Sequence, residues 1–199
     1  MTVRIGVVAI QGAVSEHVAA IRRALDDTGK KGEVVEVRRA EHVDGLAGLI
    51  IPGGESTTIG KLMDRHGVTE RVLDMAKDGL PIMGTCAGAI LLASGGDDQV
   101  KRTGMRQLGL MEMTVGRNAF GRQRESFESF IAVEGMDGGP FPAVFIRAPA
   151  ITRVWGTCGR LAVCEGRIVA ARQDNLMALA FHPELTEDSR MHRLFLMSI

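Results

Sequence analysis

A rhythm in the first half of the chain limits its possible folds more than any other feature. Short apolar runs are each cut off by glycine-rich polar residues and then followed by an amphipathic stretch. Val3 to Ile10 is a β-rich run ending at Gln11-Gly12. Leu46 to Ile51 ends at Pro52-Gly53-Gly54-Glu55-Ser56-Thr57-Thr58, and Leu80 to Met83 ends at Gly84-Thr85-Cys86-Ala87-Gly88. Between the first two runs, Val14, Val18, Ile21 and Leu25 recur at helical spacing as one apolar stripe, and Gly29 and Gly32 bracket its end. Glu33 to Arg38 alternates as a second strand. The hydroxyl residues Ser56 to Thr58 are placed to cap a helix running through Met63, and Val68, Val72, Leu73 and Met75 mark another before Gly79. Strand and helix in alternation predict an α/β fold: a mostly parallel central sheet flanked by helices in three layers. In such sheets ligands collect beyond the carboxyl ends of the strands, so the three glycine-rich ends are the places to look for chemistry.

The texture changes after Ser94. Gly95-Gly96-Asp97-Asp98 opens a polar loop running to about Arg106. Beyond it the pattern is mostly strand: Leu110 to Val115, Ser126 to Val133, Ala143 to Arg147, Arg153 to Thr157, Leu161 to Cys164, Ile168 to Gln173 and Leu176 to Phe181. Glu165-Gly166 fits a tight hairpin turn, and Ser189 to Met197 reads as a short terminal helix. With no linker in sight, residues 1–199 read as a single domain in which additional antiparallel strands extend and cover the first sheet. Lysine plus arginine, 24, equals aspartate plus glutamate, 24, so nothing advertises a nucleic-acid or membrane surface. Absent tyrosine argues against a stacking platform for single strands. Three irregularly spaced cysteines make neither a disulfide framework nor a zinc site, which favours a reducing, cytoplasmic location. The N-terminal apolar run is broken by Arg4 and reads as a strand rather than a signal peptide. A neutral surface also suits a chain that works with a partner.

Gly84-Thr85-Cys86-Ala87-Gly88 has the form of a nucleophile elbow with sulfur in place of oxygen. Its glycines allow a sharp strand-to-helix turn and leave room beside the reactive atom. From composition, Gly-x-Cys-x-Gly is expected about 0.05 times in this chain. The motif alone leaves open a small apolar cysteine packed under a glycine turn. A second stretch, Phe181-His182-Pro183-Glu184, follows an apolar strand. Proline biases His182 to an extended conformation, and in extended chain His182 and Glu184 share a face, as a base and its orienting carboxylate require. His17, His42, His66 and His192 lack that context and read as solvated or capping. In the third stretch, the glycines of Pro52-Gly53-Gly54-Glu55-Ser56 can turn a backbone amide, that of Gly54, toward an oxyanion, with the Ala87 amide as second donor. The loop lacks the Gly-Lys-Ser/Thr ending of a phosphate loop. Arg117 and Arg147 carry guanidiniums suited to a substrate carboxylate, although the pattern alone singles out neither. Cys164 reads as core, Cys158 is uninformative, and no spacing resembles a metal site.

These segments together resemble the class I glutamine amidotransferases of the Cys-His-Glu type, with their flavodoxin-like fold. More narrowly, the chain is similar to the glutaminase subunits of pyridoxal 5'-phosphate synthases. The narrower likeness rests on Gly6 to His17, Pro52 to Thr58, Arg117-Asn118-x-Phe120-Gly121-Arg122-Gln123, Phe145-Ile146-Arg147-Ala148-Pro149 and His182 to Asp188. The resemblance implies hydrolysis of L-glutamine to glutamate and ammonia, with Cys86 as nucleophile, His182 as proton shuttle and Glu184 orienting it. It implies glutamine contacts at Gly54, Glu55, Ser56, Arg117, Ile146 and Arg147, no cofactor, and a synthase subunit that activates the glutaminase and receives its ammonia. The chain departs from the family pattern at Lys30-Lys31-Gly32, in the Gly95 to Gly104 loop and after Phe195, away from these residues. Two other readings use the same features: a γ-glutamyl peptide hydrolase, expected to be longer and often secreted, and a non-catalytic interaction subunit, against which the intact Cys86, His182 and Glu184 argue.

Overall fold

The computed structural model describes residues 2–117 and 126–199, so Asn118, Phe120, Gly121, Arg122 and Gln123 of the third matched segment lie outside the described residues. The glycine-punctuated rhythm becomes β1 (Val3–Val8), α1 (Val14–Thr28), β2 (Gly32–Val37), β3 (Gly48–Ile51), α2 (Ser56–Arg65), α3 (Val68–Lys77), β4 (Ile82–Thr85) and α4 (Ala87–Leu92). The expected polar loop after Ser94 is instead a strand, β5 (Ala93–Gly96), and a short helix, α5 (Asp98–Arg102), whose first turn is capped by Asp97 accepting from the Val100 amide at 2.9 Å. Then come β6 (Met111–Gly116), β7 (Ser126–Ile131), β8 (Phe141–Ile146), β9 (Ala150–Val154), β10 (Gly159–Cys164), β11 (Arg167–Gln173), β12 (Leu176–Leu179) and α6 (Arg190–Leu196). β9 starts three residues before the expected Arg153, because its pairing with β6 runs from Ala150 through Val154.

The main sheet runs β2-β1-β3-β4-β12-β11-β9-β6-β5, with β10 paired to β11 and a separate β7–β8 hairpin. Its first five strands are mutually parallel, whereas the pairs β12–β11, β11–β9 and β9–β6 are antiparallel. The turn Glu165-Gly166 has φ 48° and 75°, the positive pair a tight hairpin demands. Alternation along each central strand divides the apolar residues between two cores. Val8, Leu49, Ile51, Ile82 and Ala178 face α2, α3 and α4, packing with Ile59, Met63, Val68, Val72 and Leu91. Ile5, Val7, Ile50, Met83, Met177 and Leu179 face α1, α6 and the β7–β8 hairpin, packing with Ile21, Leu25, Phe195, Phe141 and Phe145. The sheet is therefore a middle layer, buried on both faces. Among the described residues no helix is long and apolar enough to cross a membrane.

Because β4 and β12 are parallel neighbours, in register from Leu176 with Ile82 to Leu179 with Thr85, their carboxyl ends finish side by side. That register carries Cys86 and His182, far apart in sequence, to one edge of the sheet.

Candidate active site

Cys86 sits between β4 and α4 with φ 48° and ψ −100°, a backbone conformation that disfavours a side chain. Packing on both sides imposes it. The Cys86 amide donates to the Leu179 carbonyl at 2.7 Å, and the α4 amide of Ile90 donates to the Cys86 carbonyl at 3.3 Å. The flanking glycines do not make room beside the thiol, as expected, but between helix and strands. A Cβ on Gly88 would lie 2.0 Å from the Ile51 carbonyl oxygen, and one on Gly84 would lie 2.6 Å from the Gly88 carbonyl. The residue that clears space at the thiol is Gly53, where a Cβ would stand 2.4 Å from His182 Cε1 and 3.3 Å from Cys86 Cβ.

His182 Nδ1 and Glu184 Oε1 are 2.7 Å apart, with both residues buried. The contact arises differently from the extended pattern read in the sequence. Pro183–Leu185 forms a 3-10 turn that brings Glu184 back beneath the ring, while His182 itself, at φ −109° and ψ 86°, keeps the non-helical conformation proline favours. The His182 amide donates to the Val144 carbonyl at 2.8 Å, tying the turn to β8. Burial pulls the His182 pKa down, but hydrogen bonds and charge from Cys86 and Glu184 outweigh it and raise it to about 10. A thiol, an imidazole and a carboxylate thus stand in series at the sheet edge, where sulfur can lose its proton to the ring and the carboxylate can hold the resulting imidazolium.

The β1 and β3 ends form the adjoining wall. The Ala13 amide donates to the Gly53 carbonyl at 3.1 Å, and Gly12, at φ 108°, permits the approach, since a Cβ there would fall 1.9 Å from that oxygen. Gln11 Oε1 accepts from the Glu55 amide at 2.9 Å. Gly54, at φ 156°, lies against the Gln11 side chain. The cap of α2 is Glu55 rather than the hydroxyl residues: its carboxylate accepts from the Thr57 and Thr58 amides at 3.2 and 2.7 Å and from both threonine hydroxyls. A longer side chain reaching over the first turn outcompetes shorter ones already inside the helix. Against a desolvation cost, these bonds lower the Glu55 pKa to about 2. Ser56 is buried, and its Oγ has no hydrogen-bond partner among the described residues. Arg117 lies 3.6 Å from Glu55, its amide held by Asp97 at 3.1 Å. On the far side of the thiol, the Ile146 carbonyl is 4.0 Å from Cys86 Sγ, and Arg147 follows in the left-handed region at φ 44°, exposed. Ala87 begins α4 directly after the thiol. The expected residues therefore form one connected rim, from Arg117 through Glu55 and Gly54 to Cys86, His182 and Ile146. Cys164 is in the core as expected, and Cys158 is buried in a turn, its thiol pushed up to about 11 by burial and Glu112.

Two histidines read as solvated or capping are neither. His17 and His192 are fully buried, and His17 stands behind Glu184, with Nε2 3.3 Å from Glu184 Oε2 and 3.0 Å from Thr85 Oγ1. One signal was available: His17 lies three residues after Val14 and four before Ile21, on the apolar face of α1.

A family model, the SNO glutamine amidotransferase family, matches residues 7–199. The chain belongs to that family. Similarity to its members runs nearly end to end. The pyridoxal 5'-phosphate synthase subunit PdxT of Methanosarcina mazei is 53% identical over 193 residues, covering 97% of this chain and 96% of the relative. The PdxT of Staphylothermus marinus is 48% identical over 201 residues, covering 98% of each. Among solved structures, a crystal structure of a glutamine amidotransferase superposes with a TM-score of 0.85 at 45% identity, covering 98% of this chain and 97% of the other. A second glutamine amidotransferase, from Thermotoga maritima, shares the fold at TM-score 0.61 and 12% identity, covering 99% of this chain and 82% of the other. The family and its near structural neighbour accord with the α/β architecture described above.

Proposed function

We propose that this chain is the glutamine-hydrolysing subunit of a pyridoxal 5'-phosphate synthase, acting as one domain over residues 1–199. The observation that carries the reading is the buried series Cys86, His182 and Glu184 at the shared carboxyl edge of β4 and β12. The family and the PdxT names of its relatives support the substrate, glutamine, and the partner, a synthase subunit. Gly54, Glu55, Ser56, Arg117, Ile146 and Arg147 form the glutamine-binding rim, and the guanidiniums attract the substrate's α-carboxylate. Cys86 gives its proton to His182, and the thiolate attacks the side-chain amide carbon. The oxyanion is held by the Gly54 and Ala87 amides, and each such donor contributes about 3–4 kcal/mol to the transition state. His182 returns the proton to the departing nitrogen, so ammonia leaves and a glutamyl thioester remains. Water, deprotonated by His182, attacks the thioester; glutamate leaves and the thiol is restored. The ammonia passes to the synthase subunit. The same reading places the enzyme in the cytoplasm.

The test is glutamate release from glutamine, measured with and without the co-purified synthase subunit. Cys86→Ser should abolish turnover while leaving synthase binding intact. Full activity in that variant would sink the mechanism. Turnover of γ-glutamyl peptides without a synthase, or no turnover in either mixture, would instead support the two other readings of the sequence.

A further inference from the structure

Behind the proposed triad lies a polar cluster that the reaction as written does not use. Glu184 is buried, and its two oxygens have unequal partners: Oε1 is 2.7 Å from His182 Nδ1, whereas Oε2 accepts no well-aligned hydrogen bond among the described residues. His17 Nε2 stands 3.3 Å from that Oε2 and 3.0 Å from Thr85 Oγ1, while His17 Nδ1 is 3.2 Å from His192 Nε2. His192 Nδ1 is also buried without a partner among the described residues. The four residues come from α1, the end of β4, the 3-10 turn and α6, so the cluster exists only in the assembled fold.

Burial holds His17 neutral, its pKa well below the ordinary imidazole value, with His192 and His182 adding to the effect. Burial, with Arg23 adding, lowers that of His192 to about 3. Each ring therefore carries one proton, and two arrangements are open. If His17 is protonated at Nδ1 it donates to His192 Nε2. His192 must then carry its own proton on Nδ1, a buried donor with no acceptor, and the His17 Nε2 lone pair accepts from the Thr85 hydroxyl while also facing a carboxylate oxygen. If both rings are protonated at Nε2, His192 donates to His17 Nδ1, and the His17 N–H donates to Thr85 Oγ1 with Glu184 Oε2 3.3 Å from the same nitrogen. The His192 Nδ1 lone pair and the hydroxyl proton of buried Thr85, whose one hydrogen-bond partner among the described residues is His17 Nε2, are then left over. Each arrangement leaves one buried donor over, so the carboxylate decides: a lone pair opposed to Glu184 Oε2 repels whereas an N–H attracts, which makes the second arrangement the stable one.

We propose that His17 is a positioning residue for the glutaminase reaction: its Nε2–H holds Glu184 Oε2 and thereby keeps the other carboxylate oxygen turned to His182. This rests on the reading of Cys86, His182 and Glu184 as the acyl-transfer site. Thr85, the residue before the nucleophile, shares the same N–H and so ties the carboxylate's support to the elbow. His192 fixes the tautomer from behind.

Two measurements test this. In the full chain with 15N-labelled histidine, two-bond 1H–15N spectra report each ring's tautomer, and His17 should show the Nε2–H form. In the complex with its synthase subunit, His17→Leu and His17→Asn should lower kcat for glutamine by about tenfold, the size of one lost hydrogen bond to a charged group, with KM within about twofold. His17→Gln, whose amide reaches where Nε2 stood, should stay within about threefold of the wild type, whereas the shorter Asn amide falls at the Nδ1 position. A merely structural histidine would not be rescued by Gln in preference to Asn. An Nδ1–H tautomer, a Leu variant at the wild-type rate, or a Gln variant no better than Leu would overturn the proposal while leaving the triad standing. If Leu and Asn fail to fold, the wild-type tautomer and the Gln rate decide. A wild-type complex that releases no glutamate overturns the function itself, and with it the role of His17.

Discussion

Gly53→Ala separates chemistry from folding more cleanly than any change to the triad. Gly53 does not occupy the positive-φ region, so alanine fits its backbone, and the Ala13 amide can still donate to its carbonyl. The new Cβ would stand 2.4 Å from His182 Cε1 and 3.0 Å from Nδ1. Restoring ordinary contact requires the ring to move by about 1 Å, because carbon atoms that merely touch sit no closer than about 3.4 Å. That displacement cannot be absorbed without loosening the 2.7 Å contact to Glu184 or the hydrogen bond to Cys86. A misplacement of about 1 Å costs on the order of 100-fold in rate, or ~3 kcal/mol in the transition state. At pH 10, where the contacts that raise the His182 pKa contribute least, stability should change by less than about 1 kcal/mol, since alanine also restricts the unfolded chain; at neutral pH the loosened contacts add to the loss. Gly88→Ala is the control: its Cβ would lie 2.0 Å from the Ile51 carbonyl oxygen, which is backbone and cannot turn aside. It should lose about 3 kcal/mol of stability through separation of α4 from β3. The assay is steady-state glutamate release by the synthase complex, beside urea unfolding of each free variant. A Gly53→Ala enzyme with kcat within about threefold of the wild type would refute the claim that Gly53 sets the ring's place, and so would a stability loss at pH 10 matching that of Gly88→Ala.

Two further predictions concern charge. The His182 pKa rises from 6.5 to about 10 on folding, so its protonation adds stability that is complete below pH 6.5 and lost as pH climbs toward 10, with a ceiling of about 5 kcal/mol. The wild type's advantage over His182→Gln in urea unfolding should therefore shrink across that window; an advantage unchanged at pH 10 contradicts the assignment. Glu55, lowered from 4.5 to about 2, works in the opposite sense: its capping contribution is present above pH 4.5 and fades as pH falls toward 2. Glu55→Ala should cost about 1 kcal/mol at neutral pH, consistent with an N-cap at the surface. Equal stability of the two proteins at pH 7 by thermal unfolding would show that α2 does not need this cap.

Local pattern made part of this protein legible. Glycine-punctuated apolar runs announced β1, β3 and β4, because burial on both faces of a parallel strand leaves a short continuous apolar signature. The Glu165-Gly166 turn was equally readable, since few residue pairs accept two positive φ values. Cys86 and His182 could be placed at the sheet edge because each follows an apolar run that stops at polar, glycine- or proline-marked residues. The strand at Ala93–Gly96 was invisible, because its pairing with β6, not its own glycine-rich composition, makes it a strand. Glu55 was overlooked as a cap because hydroxyl residues beside it are the commoner choice.

The order of residues along the chain sets the alternation of elements, the elbow that carries the thiol, and the histidine and glutamate proposed here as its base and orienting carboxylate. The register of β12 on β4 brings that thiol and that base together, and it exists only once the chain has folded. The space for the imidazole depends on the β3 end, and the support of Glu184 on two histidines from α1 and α6. The division has a physical cause. Helix and strand are decided by neighbours a few residues apart, whereas a buried carboxylate takes whatever donor the packing of distant elements leaves within reach. Nothing in the local sequence around Glu184 could announce His17, which lies on the first helix of the chain.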